Sequence, residues 1–126
     1  MHEREFITPY IKFWIEDDIV FGEYLPNVQL TLEAVKTSIE ARIEFTKGKP
    51  HLFLCDLTPV KSATKEARDF SSKDIGIQGI TAGALIVNSS VSKIIGNFFL
   101  SINKPSAPAK LFTDKAEALK WLQQFK

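Results

Sequence analysis

The chain is poor in residues that staple a fold or ligate a metal. One cysteine, Cys55, stands among 126 residues, so no intrachain disulfide can form. It lies in the apolar run His51–Leu57, where a buried, inert thiol is expected. Histidine is almost as scarce, with only His2 and His51. Neither stands in an HExxH or Cys/His spacing, so no metal site is expected. Charge of one sign is also missing. Sixteen Lys+Arg against fifteen Asp+Glu leave a formal charge of +1, without the bulk field that binds nucleic acid or anionic membrane. No stretch approaches the roughly 18 continuous apolar residues of a membrane span. The start, Met1-His2-Glu3-Arg4-Glu5, has no apolar segment behind a basic one. The expectation is a cytoplasmic protein with no membrane span and no nucleic-acid partner. No G-x-S-x-G, Walker A or G-x-G-x-x-G occurs. Gly76, Gly79 and Gly83 lie near one another but fit no phosphate-loop template. With no catalytic motif, the expectation is a non-enzyme without cofactor.

What is present is an ordinary globular composition, 44% hydrophobic and 25% charged. The length fits one domain over residues 1–126, with residues 1–8 read as a flexible or irregular lead-in. Ten phenylalanines against two tyrosines and two tryptophans are a large apolar payload.

Two β-prone runs, Tyr10–Glu16 and Ile19–Leu25, flank Asp17-Asp18 and predict an antiparallel hairpin. Ile11, Phe13 and Ile15 share one face of its first strand. Thr31 can cap a helix whose apolar positions are Leu32, Val35, Ile39 and Ile43, with Gly48-Lys49-Pro50 as its stop. His51–Leu57 reads as a central strand covered on both faces. Ser62–Lys73 reads as a short helix, and Ile80–Val87 as a second buried strand. Asn88-Ser89-Ser90 caps the clearest helix, with Val91, Ile94, Ile95, Phe98, Phe99 and Ile102 as its stripe. Ala109–Phe112 is a short strand. Asp114 opens the last helix, with Ala118, Leu119, Leu122 and Phe125 inward. The order β-β-α-β-α-β-α-β-α predicts an α/β fold, a mixed sheet with an opening antiparallel hairpin and a parallel centre.

This order, with His51–Leu57, Lys61–Arg68, Ile94-Ile95-Gly96-Asn97-Phe98-Phe99 and Lys110–Asp114 followed by Ala116–Leu122, resembles the STAS-like superfamily, the fold of anti-sigma-factor antagonists. It is most similar to small bacterial STAS/SEC14-like proteins, and the likeness covers nearly the whole chain. In anti-sigma-factor antagonists a serine at the start of the helix after the central strand is phosphorylated, in an Asp-Ser-Ser/Thr-Gly phrase, and so switches partner binding. The resemblance places Ser62 and Thr64 in that neighbourhood. The phrase itself is absent, and Lys61 and Lys65 stand at its flanks.

Two groups of candidate residues follow. Ser62, Thr64, Lys65 and Arg68 cluster where a helix begins beyond a strand end, a place suited to an anion or a partner's acidic group. Their alternative is an ordinary N-cap with solvated cations. Asp56 ends the central strand, as a carboxylate for chemistry or as a turn residue. Phe98, Phe99 and Leu100 are consecutive, about 100° apart on a helix, so they cannot all face inward. They form a candidate apolar patch or pocket. The leading expectation is a regulatory module that binds a protein partner, with a homodimer as one form. The alternative is a carrier of a lipophilic small molecule in a pocket near the Phe98 helix.

Overall fold

The structure is a computed structural model describing residues 5–71, 74–102 and 107–126. Its first element is β1 (Glu5–Ile7), paired antiparallel with β2 (Ile11–Glu16), so Glu5 onward is an edge strand rather than an irregular lead-in. β2 and β3 (Ile19–Tyr24) form the expected hairpin, with Glu16 opposite Ile19. Asp17 and Asp18 both adopt positive φ, 52° and 62°. That is the handedness a two-residue hairpin loop demands.

A two-residue strand, β4 (Gln29–Leu30), leads into α1 (Leu32–Thr46). Thr31 caps α1 by accepting a hydrogen bond from the Ala34 amide at 3.1 Å. The helix ends where Lys47 and Gly48 turn left-handed, with the Gly48 amide donating back to the Ile43 carbonyl. Then come β5 (His51–Asp56), β6 (Ser62–Ala63), α2 (Lys65–Ser71), a 3-10 turn (Asp74–Ile77) and β7 (Ile80–Ile86). The chain finishes with α3 (Ser90–Ile102), β8 (Ala109–Phe112) and α4 (Lys115–Gln123). The helix expected from Ser62 therefore starts three residues later. Ser62 and Ala63 instead pair in parallel with Gln29 and Leu30, a small second sheet.

The main sheet has the order β1-β2-β3-β5-β7-β8, antiparallel at its first two pairings and parallel thereafter. From β3 onward the order never reverses. Right-handed crossovers that all step in one direction lay their helices on one face, so α1, α2 and α3 share that side. The buried cluster there joins Phe13, Val20, Val35, Ile39, Phe45, Phe53, Ala67 and Ile95. α4 covers the opposite face, where Ala118 and Leu122 are fully buried against Trp14, Phe21, Leu52, Leu54 and Ile86. β5 lies at the centre, Leu52 and Leu54 to one face and Phe53 and Cys55 to the other, as a run covered on both sides requires. The C-terminus is tied back to the hairpin: Asp17 pairs with Lys126 at 2.9 Å and accepts from the Gln123 amide at 3.0 Å. These contacts hold the Asp17 carboxyl below the usual range, Lys126 first.

α3 departs from its expected stripe. Val91 and Ile94 are 42% and 63% exposed, while Ser92 and Ile95 are buried. The cause sits at the helix start. The Ser92 hydroxyl accepts from the Asn88 and Ser89 amides at 3.0 Å, and the Ser92 amide donates to the Ser89 hydroxyl at 3.1 Å. This reciprocal cap satisfies donors that would otherwise be orphaned and turns Ser92 inward. Gly96 follows on the same face; a Cβ there would come within 2.7 Å of Leu111, so the helix lies close on β8.

Candidate functional site

The face carrying three helices is not completely filled. Between α1 and strands β3, β5 and β7 lies a cavity of about 130 Å³. Its floor is open because Gly83, the register partner of Phe53 in β7, has no side chain. Among the described residues a Cβ there would meet only Ile80, at 3.6 Å. The walls are apolar: Val35 and Ile39 from α1, Phe53 from β5, Leu85 from β7 and Leu100 from α3. The exposed residues Pro108 and Ala109 stand at its rim.

Into this apolar space α1 delivers one cation. Val35, Ile39 and Arg42 lie at i, i+4 and i+7, so they share a helix face, and Arg42 is only 4% exposed. Its Nη2 donates to the Gln78 carbonyl at 2.9 Å and its Nη1 to the Gly76 carbonyl at 3.3 Å. The guanidinium carbon lies 5.4 Å from the centre of the Phe53 ring, within cation–π range. Its Nε is buried with no hydrogen-bond partner. Among the described residues it has no ion-pair partner, and no other charged side chain lines the cavity. Burial lowers its pKa from 12.5 to about 10, so it stays charged at neutral pH.

The other titratable groups on the walls are neutral. Burial, then Asp56, pushes the Cys55 thiol up to about 12. Burial, then Cys55, raises the Tyr24 phenol further still. His51, at the head of β5, shares a hydrogen bond of 2.8 Å between Nδ1 and the Lys49 carbonyl. A carbonyl can only accept, so Nδ1 carries the proton. Its Nε2 is buried without a partner. Burial holds this ring below the usual value near 6.5, with the Arg42 charge adding to the effect.

None of the residues expected at the strand-to-helix junction lines this cavity. Asp56 is half-buried, and its Oδ1 accepts from the Thr58 amide at 2.9 Å, an Asx turn. Ser62 lies in β6. Thr64 is the cap of α2, accepting from the Ala67 amide at 3.1 Å, and its carbonyl accepts from the Arg68 amide. Lys65 pairs with Asp69 one turn on, at 2.9 Å, both side chains exposed. Thr64 and Lys65 thus open α2 and Arg68 stands in its last turn, with the hydroxyl and the ammonium engaged within that helix. Of the expected apolar triplet, the Phe98 and Phe99 side chains lie outside the described residues, while Leu100 is half-buried on the cavity wall. Sequence reasoning passed over Arg42 and the floor role of Gly83. The signal for Arg42 was its spacing from Val35 and Ile39.

Among the described residues no group of three or more His, Cys, Asp or Glu could hold a metal ion. No helix among them is long and apolar enough to cross a membrane.

A mostly parallel sheet opened by an antiparallel hairpin, with helices on both faces, makes this a protein of the SpoIIAA-like fold. The chain belongs to the family described as Domain of unknown function (DUF7793), which matches residues 13–126. It is similar to the crystal structure of an uncharacterized protein from the DUF3478 family with a SpoIIAA-like fold from Shewanella loihica PV-4. That likeness has a TM-score of 0.64 and 18% identity, covering 97% of this chain and 98% of the other. No match is found among curated proteins.

Proposed function

We propose that this chain is a non-enzymatic binding module that holds a small lipophilic molecule between its sheet and α1. The observation that supports this reading is the apolar cavity of about 130 Å³ over Gly83. Native interiors are close-packed, with few voids larger than a water molecule. An apolar cavity of about 150 Å³ is enough to take up benzene. Leu100 brings α3 to the wall, the side from which a lipophilic pocket was expected.

The test is an amide NMR titration with toluene. Saturable shifts confined to the walls, at Val35, Ile39, Phe53, Gly83 and Leu85, are the expected result. In Gly83→Val the new side chain occupies the floor, and the shifts disappear. Unsaturable or scattered shifts in the natural chain contradict the reading.

A second reading, a module that docks a protein partner, draws on Val91 and Ile94. Together they expose two large apolar side chains on one stretch of α3. Sedimentation of the natural chain against Ile94→Lys tests the homodimer form. A concentration-dependent dimer that the variant loses supports it, and a monomer throughout counts against it.

A further inference from the structure

The cavity carries a feature that a purely lipophilic ligand does not use. A fully charged guanidinium lines it, 4% exposed, with Nε buried and unpartnered and no acidic neighbour among the described residues. Buried charges are ordinarily paired, because an isolated ion in an apolar interior is strongly disfavoured. Among the described residues the guanidinium has only the Gly76 and Gln78 carbonyls and the Phe53 ring. These groups offer partial negative charge but no counter-ion. The Cys55 thiol and Tyr24 phenol on the same wall are held protonated, so neither neutralises it.

We propose that the cavity binds a small apolar monocarboxylate, its body against Phe53, Ile39 and Leu85 and its carboxylate on Arg42 Nε. The inference rests on the cavity reading above and adds the ligand's charge and class. Three observations fix that class. One cation calls for one negative charge, and a dianion such as a phosphate monoester would leave a second charge among apolar walls. The one nitrogen of Arg42 that makes no hydrogen bond is Nε, whose N–H suits a carboxylate oxygen. The volume of about 130 Å³ admits a single ring or a short alkyl body, by the benzene comparison, and not a full acyl chain.

The binding step is an exchange of partners. The carboxylate leaves water and gains a charge-assisted hydrogen bond to Nε–H, and the guanidinium gains the counter-ion it lacks. In low dielectric such a bond is about twice as strong as a neutral one. A neutral analogue of the same shape gains the apolar contact alone.

The experiment uses the full chain and four probes: benzoate, benzyl alcohol, hexanoate and hexan-1-ol. Affinities come from amide NMR titration at pH 7 with chloride held constant. Benzoate and hexanoate are expected to bind about ten- to a hundredfold more tightly than their alcohols, one charge-assisted hydrogen bond at about tenfold per 1.4 kcal/mol. In Arg42→Met that preference disappears while benzyl alcohol binding persists. In Gly83→Val all four probes lose their sites. Equal binding of acid and alcohol in the natural chain overturns the carboxylate inference and leaves the cavity reading standing. Binding of acid that survives Gly83→Val places the anion outside the cavity and also overturns the inference. Failure of all four probes, alcohols included, overturns both readings.

Discussion

Replacing Arg42 by methionine keeps the length of the aliphatic stem and removes the charge. What this does to the ligand-free protein separates a cation kept for a ligand from one kept for the fold. The folded-state pKa lies near 10 against 12.5 for a free guanidinium, at 1.36 kcal/mol per pKa unit about 3 kcal/mol against the charged form. The sign is set by the direction of the shift: the penalty is complete below about pH 10 and relieved only as the group deprotonates above it. Arg42→Met removes it. The variant also loses a charge-assisted bond to the Gln78 carbonyl, about 1.5–2 kcal/mol, and a longer, weaker one to Gly76. The contact over Phe53 is worth about 1 kcal/mol more. Gly76 is half-buried and Gln78 is exposed, so their carbonyls can turn to water. The terms nearly cancel, and Arg42→Met should unfold within about 1.5 kcal/mol of the natural chain. Equilibrium urea unfolding at pH 7 measures it, with an unchanged m-value as the check that the same surface is exposed. A loss above about 3 kcal/mol is the size expected when one partner of a built-in buried pair is removed. It would refute the reasoning, because Arg42 would then be a structural cation.

Three further outcomes follow from the geometry. Asp18→Gly should stabilise the chain by about 0.5–1 kcal/mol in the same urea assay, since Asp18 holds φ 62° in a two-residue hairpin loop where glycine adopts that conformation without strain; Asp17 is left in place because it binds Lys126 and Gln123. His51 is held neutral in the fold, its pKa below the free value of 6.5; the unfolded chain therefore takes up the proton first, and stability should be complete above about pH 6.5 and fall as pH drops below it. Thermal melts from pH 8 to pH 5 should show that decline and His51→Gln should flatten it, whereas an unchanged slope in the variant contradicts the assignment. Cys55, buried and pushed up to about 12, should stay unmodified by iodoacetate at pH 8 in the native chain and react fully in urea, read by intact mass.

The strands and the caps were legible because short-range patterns decide them. Asp17-Asp18 between two β-prone runs leaves little but a hairpin. The run His51–Leu57 carries apolar residues at both parities, which only a strand covered on two faces can use. Thr31 and Asp114 cap their helices as their side-chain chemistry favours, Asp114 accepting from the Ala116 amide at 2.9 Å. Elements of two or three residues were not legible. Glu5–Ile7, Gln29–Leu30 and Ser62–Ala63 are too short to show a period, and they are strands only because a neighbour supplies the ladder.

The rotation of α3 was misread for a related reason. Its apolar residues are numerous enough to support more than one stripe. The choice is made by a serine pair at the cap and by Gly96 against Leu111, contacts that no hydropathy pattern contains. The candidate site shows the same division. Thr64 could be placed at a helix cap from sequence. Arg42 could not readily be placed in a core, because a guanidinium on a helix normally faces water. Gly83 stands in the expected strand Ile80–Val87 and fits no phosphate-loop template, whereas its role is to leave the floor of a cavity without a side chain. A void is a property of three-dimensional packing and leaves no local trace in the chain.

The central claim is that a charged Arg42, with no counter-ion among the described residues, turns an apolar void into a carboxylate site. The most direct measurement is the ratio of benzoate to benzyl alcohol affinity in the natural chain and in Arg42→Met. A ratio of about ten or more that falls to about one in the variant is the predicted result. A ratio of about one in the natural chain, or one that Arg42→Met leaves unchanged, contradicts it.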